Sequence, residues 1–188
     1  MFFSSLLIGL LWMNGSGCEA PQPGKSAVQI QATGPASGEL SECQVHLIRE
    51  IGRQHLISER DALVTYLDRP RSLTPAERAG IFRRPFTPGE QYPAVAALVE
   101  LDAPAELFLP IIRERGVSDR RGYNAFYASM AIRIKRAAAL TIVGDWMQLS
   151  RHETKPSNAA NLKAAAKEAM KWCSESEKLK CIALLEDQ

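Results

Sequence analysis

The sequence predicts an all-α domain of residues 41–188, built as an irregular stack of antiparallel helical hairpins. Residues that cap helices stand before apolar patterns at five places. Apolar residues recur every three or four positions, and no stretch shows the sustained alternation of a half-buried strand. The composition is 46% hydrophobic and 23% charged, which is typical of a globular protein and excludes a largely disordered chain.

The N-terminal segment 1–18 is interpreted as a signal peptide. Residues 2–13 carry no charge and are mostly apolar, a length that fits the apolar region of a signal and is short for a membrane span. Small residues follow and lead to Cys18, which resembles the lipidated cysteine of a bacterial lipoprotein. We therefore expect an exported protein, either a periplasmic or membrane-anchored lipoprotein or a secreted soluble chain.

Residues 19–40 have the composition of a flexible linker. Three prolines and three glycines interrupt this segment, and its hydrophobic pattern is weak. A tether of this kind would separate a lipid anchor from the folded domain. A plain N-terminal arm without regular structure explains the same composition.

Five helix starts are predicted from pairs of side chains spaced three residues apart. The first side chain of each pair can accept a hydrogen bond from an unpaired backbone N–H, and the second lies in the first helical turn. An acidic group there also favours the positive end of the helix dipole. The pairs are Ser41 with Gln44, Ser58 with Asp61, Thr74 with Glu77, Thr87 with Glu90, and Ser174 with Glu177.

Residues 123–149 are predicted to form one long helix near the centre of the core. Tyr123 and Tyr127 belong to an apolar face that continues at helical spacing along this segment. Asp145 interrupts the apolar stretch, and we expect it to face solvent or to pair with an arginine. A buried carboxyl group with a raised pKa is the alternative. The alanine-rich residues 157–173 predict a further helix, with Trp172 on its apolar side.

Residues 92–116 form a distinctive segment with the sequence YPAVAALVELDAPAELFLPIIRERG. An apolar helix, PAVAALVEL, precedes a tight turn at Asp102 and a second apolar helix, AELFLPIIRERG. This segment resembles one unit of a HEAT-type helical repeat. The resemblance implies two antiparallel helices, a fragment of a helical solenoid, and a role in binding rather than in chemistry. Pro110 is expected to kink the second helix, because proline removes a backbone hydrogen bond.

Two of the four cysteines are predicted to form a disulfide. Cys173 and Cys181 are eight residues apart, which is too far for a bond along one continuous helix. The capping residue Ser174 predicts a break between them and so favours the bond, with two free thiols as the alternative. Cys43 is then an odd thiol, either buried or paired with Cys18. No spacing of Cys and His residues predicts a zinc site.

The sequence contains no catalytic motif that we can identify. It has no glycine-rich phosphate loop, no Gly-x-Ser-x-Gly and no His-Glu-x-x-His. His46 and Glu50 are four residues apart on one helix face, so a local contact is expected, with a metal or acid–base pair as the alternative. We therefore predict a protein that is not an enzyme and that needs no cofactor or metal.

The charge is balanced overall but locally uneven. A net charge of +2 does not point to nucleic acid, which export also disfavours. A local excess of basic residues predicts a patch for anionic lipid or an acidic protein, and a solvated face whose acids come from other helices is the alternative. The candidate residues are Arg113, Arg115, Arg120, Arg121, Arg133, Lys135 and Arg136.

Two classes of function follow from these observations. The first is an exported, non-enzymatic helical module for protein–protein interaction, lipid-anchored if Cys18 is modified. The second is an extracytoplasmic enzyme or small-ligand-binding protein with a polar pocket between helices, for example around Asp145 or His46. A cytoplasmic scaffold whose N-terminus is not a signal also stays open.

Overall fold

The computed structural model describes residues 18–34, 38–81, 85–134 and 139–186, which fold as packed helices without a strand. This confirms the prediction of an all-α fold. None of these helices is both long enough and apolar enough to span a lipid bilayer. The helices are α1 (Ser26–Ala32), α2 (Glu42–Arg53), α3 (Arg60–Val64), α4 (Pro75–Arg78), α5 (Pro88–Gln91), α6 (Pro93–Glu100), α7 (Leu109–Arg115), α8 (Arg120–Ile134), α9 (Ala139–His152), α10 (Pro156–Ala169) and α11 (Lys178–Glu186). Short 3₁₀ turns lie at Ile57–Glu59, Ala105–Leu107 and Met170–Trp172.

The segment 19–40 differs, in its described part, from the flexible linker that its composition predicts. It contains α1, which packs on α2 and leaves Ile30 without exposed surface. The Gln44 side-chain amide of α2 donates a hydrogen bond to the Ile30 carbonyl at 2.9 Å. The Ser41 hydroxyl donates one to the Thr33 carbonyl, also at 2.9 Å. A buried apolar side chain and satisfied backbone groups therefore order this segment despite its prolines and glycines.

Helices α2 and α6 form the centre of the N-terminal half. A Cβ on Gly52 would lie 2.9 Å from the Ala97 Cα and 2.5 Å from a carboxylate oxygen of Glu100, so glycine is needed for this close approach. Leu47 of α2 and Leu98 of α6 have no exposed surface. The two helices are therefore packed without a gap at this contact.

Helices α7 to α11 form a second packed group around Trp146. Helix α9 packs on α10 and α11, while α8 packs on α7 and on α6, which joins the two groups. Because residues 153–155 alone connect α9 to α10, these two helices form an antiparallel hairpin. Trp146 of α9 is fully buried and meets Phe126 of α8 edge to face, with 6.2 Å between the ring centroids.

Two helices, α8 and α9, stand where the apolar spacing predicts one long helix. Helix α8 ends at Ile134 and α9 begins at Ala139, and residues 135–138 between them lie outside the described part of the chain. Helix α9 packs chiefly on α10 and α11, and only to a small extent on α8. Both helices bury an apolar face in the same core, so spacing alone does not reveal that they are separate elements.

The two helices of the HEAT-like segment have different packing partners. Helix α6 packs chiefly on α2 and α8, whereas α7 packs chiefly on α8 and α10. The tight turn is present, since Asp102 has a φ of 53°, in the left-handed region that usually favours glycine. Pro110 lies in the first turn of α7, where no backbone N–H is needed, so the reason for the expected kink is absent.

Three of the five predicted caps are confirmed as complete capping boxes. They are at Ser41, Thr74 and Thr87. The cap predicted at Ser58 is wrong, because Ser58 lies inside a 3₁₀ turn and α3 begins without a side-chain cap. At Ser174 the hydroxyl and the backbone N–H donate to the Glu177 carboxylate at 2.7 and 3.3 Å, and α11 begins at the next residue.

Candidate functional site

Two disulfides engage all four cysteines of the chain. Cys18 is bonded to Cys43 in α2, with 5.4 Å between the Cα atoms. Cys173 is bonded to Cys181 in α11, with 6.8 Å between the Cα atoms, and this is the pair that the sequence favours. The first bond uses the Cys18 Sγ, which is the atom that a lipid thioether would need. Lipidation of Cys18 and the Cys18–Cys43 bond therefore exclude each other.

A cleft lined by aromatic side chains lies beside the second disulfide. It has a volume of about 270 Å³ and lies between α8 and the 3₁₀ turn that precedes Cys173. We call it the aromatic cleft. Its lining residues are Tyr123, Phe126, Tyr127, Met130, Glu168, Lys171 and Trp172.

The aromatic cleft has a buried base and an exposed rim. Phe126 and Met130 at the base are 3% and 1% exposed, whereas Tyr123 and Trp172 at the rim are 39% and 49% exposed. Tyr127 and Trp172 meet edge to face, with 6.3 Å between the ring centroids. The exposed indole is thus held against α8 by a ring contact of favourable geometry.

Helix α8 and the disulfide position the rings of the aromatic cleft. Tyr123 and Tyr127 are four residues apart on α8 and so lie on one helix face. Trp172 directly precedes Cys173, whose bond to Cys181 ties the 3₁₀ turn to α11. The rings are therefore held by rigid elements and lose little conformational freedom when a partner binds.

The aromatic cleft is lined by one cation and one carboxylate, which bind each other. The Lys171 ammonium donates to both carboxylate oxygens of Glu168, at 2.8 and 2.6 Å, and these hydrogen bonds raise the pKa of Lys171. Arg120 lies beside Tyr123 in the neighbouring groove, is exposed, and forms no ion pair with any described residue. Arg120 also lines a groove that contains Asp68 and Asp119, so it is an exposed cation beside these rings but not part of a one-sided positive field.

The basic residues that the sequence predicts as a patch are largely engaged by acids. Lys135 and Arg136 lie outside the described residues, and four of the remaining five basic residues form ion pairs. The role of these residues as a binding patch stays a prediction. The nitrogen–oxygen distances are 3.7 Å for Arg113 with Glu153, 3.3 Å for Arg115 with Glu114, 3.4 Å for Arg121 with Asp68, and 3.3 Å for Arg133 with Asp145.

Arg121 has a structural role that removes it from any binding patch. Its guanidinium donates to the Val64 carbonyl at 3.1 Å and to the Thr65 carbonyl at 3.4 Å, which lie at the C-terminal end of α3. The neighbouring buried Asn124 donates to the Leu67 carbonyl at 2.7 Å. The start of α8 therefore caps the end of α3.

A further groove is lined mainly by polar and charged side chains, and its Arg71 and Glu77 bind each other. It has a volume of about 820 Å³ and lies along α2, α4 and the segment before α4. The Arg71 guanidinium donates to both carboxylate oxygens of Glu77, at 2.8 and 2.5 Å, and to the Glu90 carbonyl at 2.8 Å. It also lies 5.6 Å from the ring centroid of Phe86. Arg71 thus connects α4 to α5, and its guanidinium is engaged by these contacts.

The charge of Glu77 depends on this contact. Hydrogen bonds, first from the Arg71 guanidinium and then from the Thr74 backbone N–H, together lower the pKa of the Glu77 carboxyl from 4.5 to about 2. Glu77 is therefore ionised at any pH above this range. It serves as a structural anion and not as a proton donor at neutral pH.

The other groups considered for chemistry are also engaged. Glu50 accepts hydrogen bonds from the Arg53 guanidinium at 2.6 to 3.1 Å, and they lower the pKa of Glu50 to about 2. His46 lines the polar groove. Asp145 pairs with Arg133, as the sequence leads us to expect, and no group of three or more potential metal ligands occurs among the described residues.

Sequence reasoning missed the aromatic cleft because it assigned its tyrosines and tryptophan to the core. The structure leaves the rings of Tyr123 and Trp172 partly in solvent, at the edge of the α8 face that buries Phe126. One signal was present in the sequence. Arg120 precedes Tyr123 by three residues and Lys171 adjoins Trp172, so charged residues flank both rings.

Comparison with known proteins yields no match to a protein-family model, to a curated protein or to a solved structure. The resemblance of residues 92–116 to a HEAT-type repeat stays a prediction.

Proposed function

We propose that this protein is an exported, non-enzymatic helical module that binds another protein through the aromatic cleft. One observation carries the proposal: Tyr123, Tyr127 and Trp172 line a surface cleft beside a disulfide. Tyrosine and tryptophan are enriched where proteins bind each other, because they bury a large apolar area and keep a polar atom for hydrogen bonding. Pre-positioned rings of this kind are typical of binding hot spots.

The charge around the cleft indicates the chemistry of the partner. Lys171 and Glu168 at the rim neutralise each other, so the exposed Arg120 in the neighbouring groove is the cation that a partner could use. A partner that inserts an apolar side chain between the rings and places a carboxylate near Arg120 would satisfy both features. The proposed occupant is therefore an acidic protein segment with an apolar anchor residue.

Export is supported by the state of the cysteines. Disulfides persist in oxidising compartments and are rare in the cytosol, and all four cysteines of this chain are paired. Because the Cys18–Cys43 bond uses the sulfur that lipidation would need, it supports a secreted or periplasmic soluble form over a lipid-anchored form. Residues 1–17 of the signal segment lie outside the described residues, and the signal is part of the proposal. Cleavage must leave Cys18 on the exported chain, because Cys18 forms the bond to Cys43.

The second candidate is an extracytoplasmic enzyme or small-ligand-binding protein with a polar pocket. The groove of about 820 Å³ supports this candidate. That groove contains His46, Arg49 and Arg78, which form no ion pair with a described residue. Its central guanidinium, Arg71, is held by Glu77 and a backbone carbonyl. We prefer the aromatic cleft because four aromatic side chains line it, whereas Phe86 of the groove lies against Arg71.

Site-specific photocrosslinking in the native host tests the proposed function. A photoreactive phenylalanine replaces Trp172 in one variant and, as the control, Ile57, which is 55% exposed and far from the cleft in sequence. We expect position 172 to give one crosslinked product of a single mass, higher than that of the protein alone. We expect no crosslinked product from position 57. In the Arg120→Glu background, the adduct from position 172 should weaken. The same adducts from both positions, or none from position 172 in correctly exported protein, would overturn the proposal.

A further inference from the structure

A second groove, separate from the aromatic cleft, lies between α10 and α11. Both helices pack on α9, so α9 forms the floor of the groove and the other two helices form its walls. The groove has a volume of about 420 Å³, within the range of small-molecule sites. Its lining residues are Met147, Lys163, Lys167, Met170, Ile182, Leu185 and Glu186.

The floor and walls of this groove are apolar and adaptable. Met147 of α9 is buried at the floor, and Met170 stands where α10 ends. Ile182 and Leu185 line the opposite wall and are three residues apart on α11, so they lie on one helix face. Methionine side chains are flexible and polarisable, so such a surface can fit a flexible aliphatic chain.

Two lysines stand along one edge of the groove. Lys163 and Lys167 are four residues apart on α10, are exposed, and form no ion pair with a described residue. Like charges at this spacing repel each other slightly. Glu186 on the other wall is the carboxylate among the lining residues, so the groove keeps an excess of one positive charge. An apolar trough edged by two ammonium groups is complementary to an anionic amphiphile.

We propose that this groove binds one long-chain fatty acid in monomeric form. The aliphatic chain lies over Met147 and against Ile182 and Leu185, where its burial supplies most of the binding free energy. The carboxylate lies between the Lys163 and Lys167 ammonium groups, which fix its position through charge-assisted hydrogen bonds. A free single-chain ligand is favoured over a membrane surface, because two lysines beside a trough between helices are fewer than the clusters that bind anionic bilayers.

Isothermal titration calorimetry with monomeric dodecanoate tests this proposal on the full oxidised chain. We expect one molecule to bind per chain. Lys163→Gln/Lys167→Gln should weaken binding by about tenfold or more, which corresponds to ~1.4 kcal/mol. The matched control, Lys155→Gln/Lys180→Gln, removes two lysines outside the groove and should bind as the parent does. Leu185→Gln, at the wall, should also weaken binding.

The chemistry of the ligand is tested with two further probes. Dodecanol, which lacks the charge, and dodecyltrimethylammonium, which reverses it, should bind more weakly than dodecanoate to the parent chain. Equal binding of dodecanol, equal weakening in both double variants, or no saturable binding of dodecanoate would overturn the proposal. Binding to vesicles of phosphatidylcholine and phosphatidylglycerol that is lost with Lys163 and Lys167, without binding of monomeric dodecanoate, would assign the groove to a membrane surface instead and would also overturn it.

Discussion

The N-terminal and C-terminal halves of the described chain are held together by different kinds of contact. Up to α6 the helices have at most 12 residues, and capping boxes, guanidinium groups and the Cys18–Cys43 bond connect them. From α7 onward the helices reach 15 residues and bury large apolar side chains such as Phe126 and Trp146. Hydrogen bonds and ion pairs respond to pH and to the loss of one partner, whereas apolar burial responds to the loss of volume.

Arg69 shows how the N-terminal half adds polar connections to its apolar packing. Its side chain is largely buried, donates to the Gly38 carbonyl at 3.1 Å and lies 5.3 Å from the ring centroid of Tyr66. Like Arg71, it joins segments that are distant in sequence. A half built in this way can keep short helices and an accessible groove, and the apolar half provides the rigid support for the aromatic cleft.

The largest effect is expected from Trp146→Ala in the C-terminal half. Trp146 is the largest fully buried side chain among the described residues, so its truncation should lower the free energy of unfolding by roughly 3–5 kcal/mol. Urea denaturation followed by circular dichroism measures this loss. The matched control is Trp172→Ala at the rim of the aromatic cleft, which should cost about 1 kcal/mol or less. Equal losses of unfolding free energy in the two variants would contradict the burial of Trp146 in the core.

Removal of the disulfides should have the next largest effect on the free energy of unfolding, and the two bonds should affect different halves of the molecule. Cys18 and Cys43 are 25 residues apart, so Cys18→Ser/Cys43→Ser should cost about 3.5 kcal/mol from loop closure in the unfolded chain. Cys173 and Cys181 are 8 residues apart, and the same relation gives about 2.5 kcal/mol. Hydrogen exchange should accelerate in α1 and α2 only for the first variant. A larger loss of stability from Cys173→Ser/Cys181→Ser than from Cys18→Ser/Cys43→Ser would contradict this expectation.

Arg71→Met is expected to destabilise the N-terminal half by about 2 kcal/mol, because hydrogen bonds to charged groups are lost. In the parent chain the lowered pKa of Glu77 contributes stability that is fully present above pH 4.5 and is lost as the pH falls towards 2. The stabilities of parent and variant should therefore converge over this interval in acid denaturation.

The control for this comparison is Arg78→Met, which lines the same groove but donates its Nε–H to the Leu73 carbonyl and forms no ion pair with a described residue. Its stability should run parallel to that of the parent chain across the acid range. If Arg71→Met also runs parallel to the parent chain, Arg71 does not control the ionisation of Glu77.

The smallest effect is expected from Asp145→Asn. The Asp145 carboxylate is 48% exposed and pairs with Arg133 at 3.3 Å, so solvent screens the interaction. We expect a loss of about 0.5 kcal/mol at low salt and no measurable loss at high salt, by urea denaturation at both ionic strengths. A loss above about 2 kcal/mol that persists at high salt would instead indicate a buried ionic group.

Local chemistry made part of this fold predictable from sequence. The caps at Ser41, Thr74 and Thr87 depend on side chains within three residues, and the structure confirms them. The apolar spacing of α8 and α9 predicts correctly that both helices are buried. It does not predict that they are two separate helices. Cys173 and Cys181 lie close enough in sequence for the helix break at Ser174 to indicate their bond.

The features that depend on distant residues were not predictable. Helix α1 is ordered by Gln44 and by burial of Ile30, neither of which the proline and glycine content of the segment reveals. The Arg121 guanidinium donates hydrogen bonds to carbonyl groups 56 and 57 residues earlier in the chain. Because these partners are distant in sequence, the residues next to Arg121 gave no sign of them. The rim of the aromatic cleft forms because Trp172 meets Tyr127 across two helical elements, a contact that helical spacing does not encode.

The account rests on an oxidised, exported binding module, and thiol mapping by mass spectrometry of the native protein tests this most directly. Alkylation before reduction should add no label, and alkylation after reduction should add four. Proteolytic peptides should link Cys18 to Cys43 and Cys173 to Cys181. Labelling before reduction, or a lipid mass on Cys18, would contradict the account.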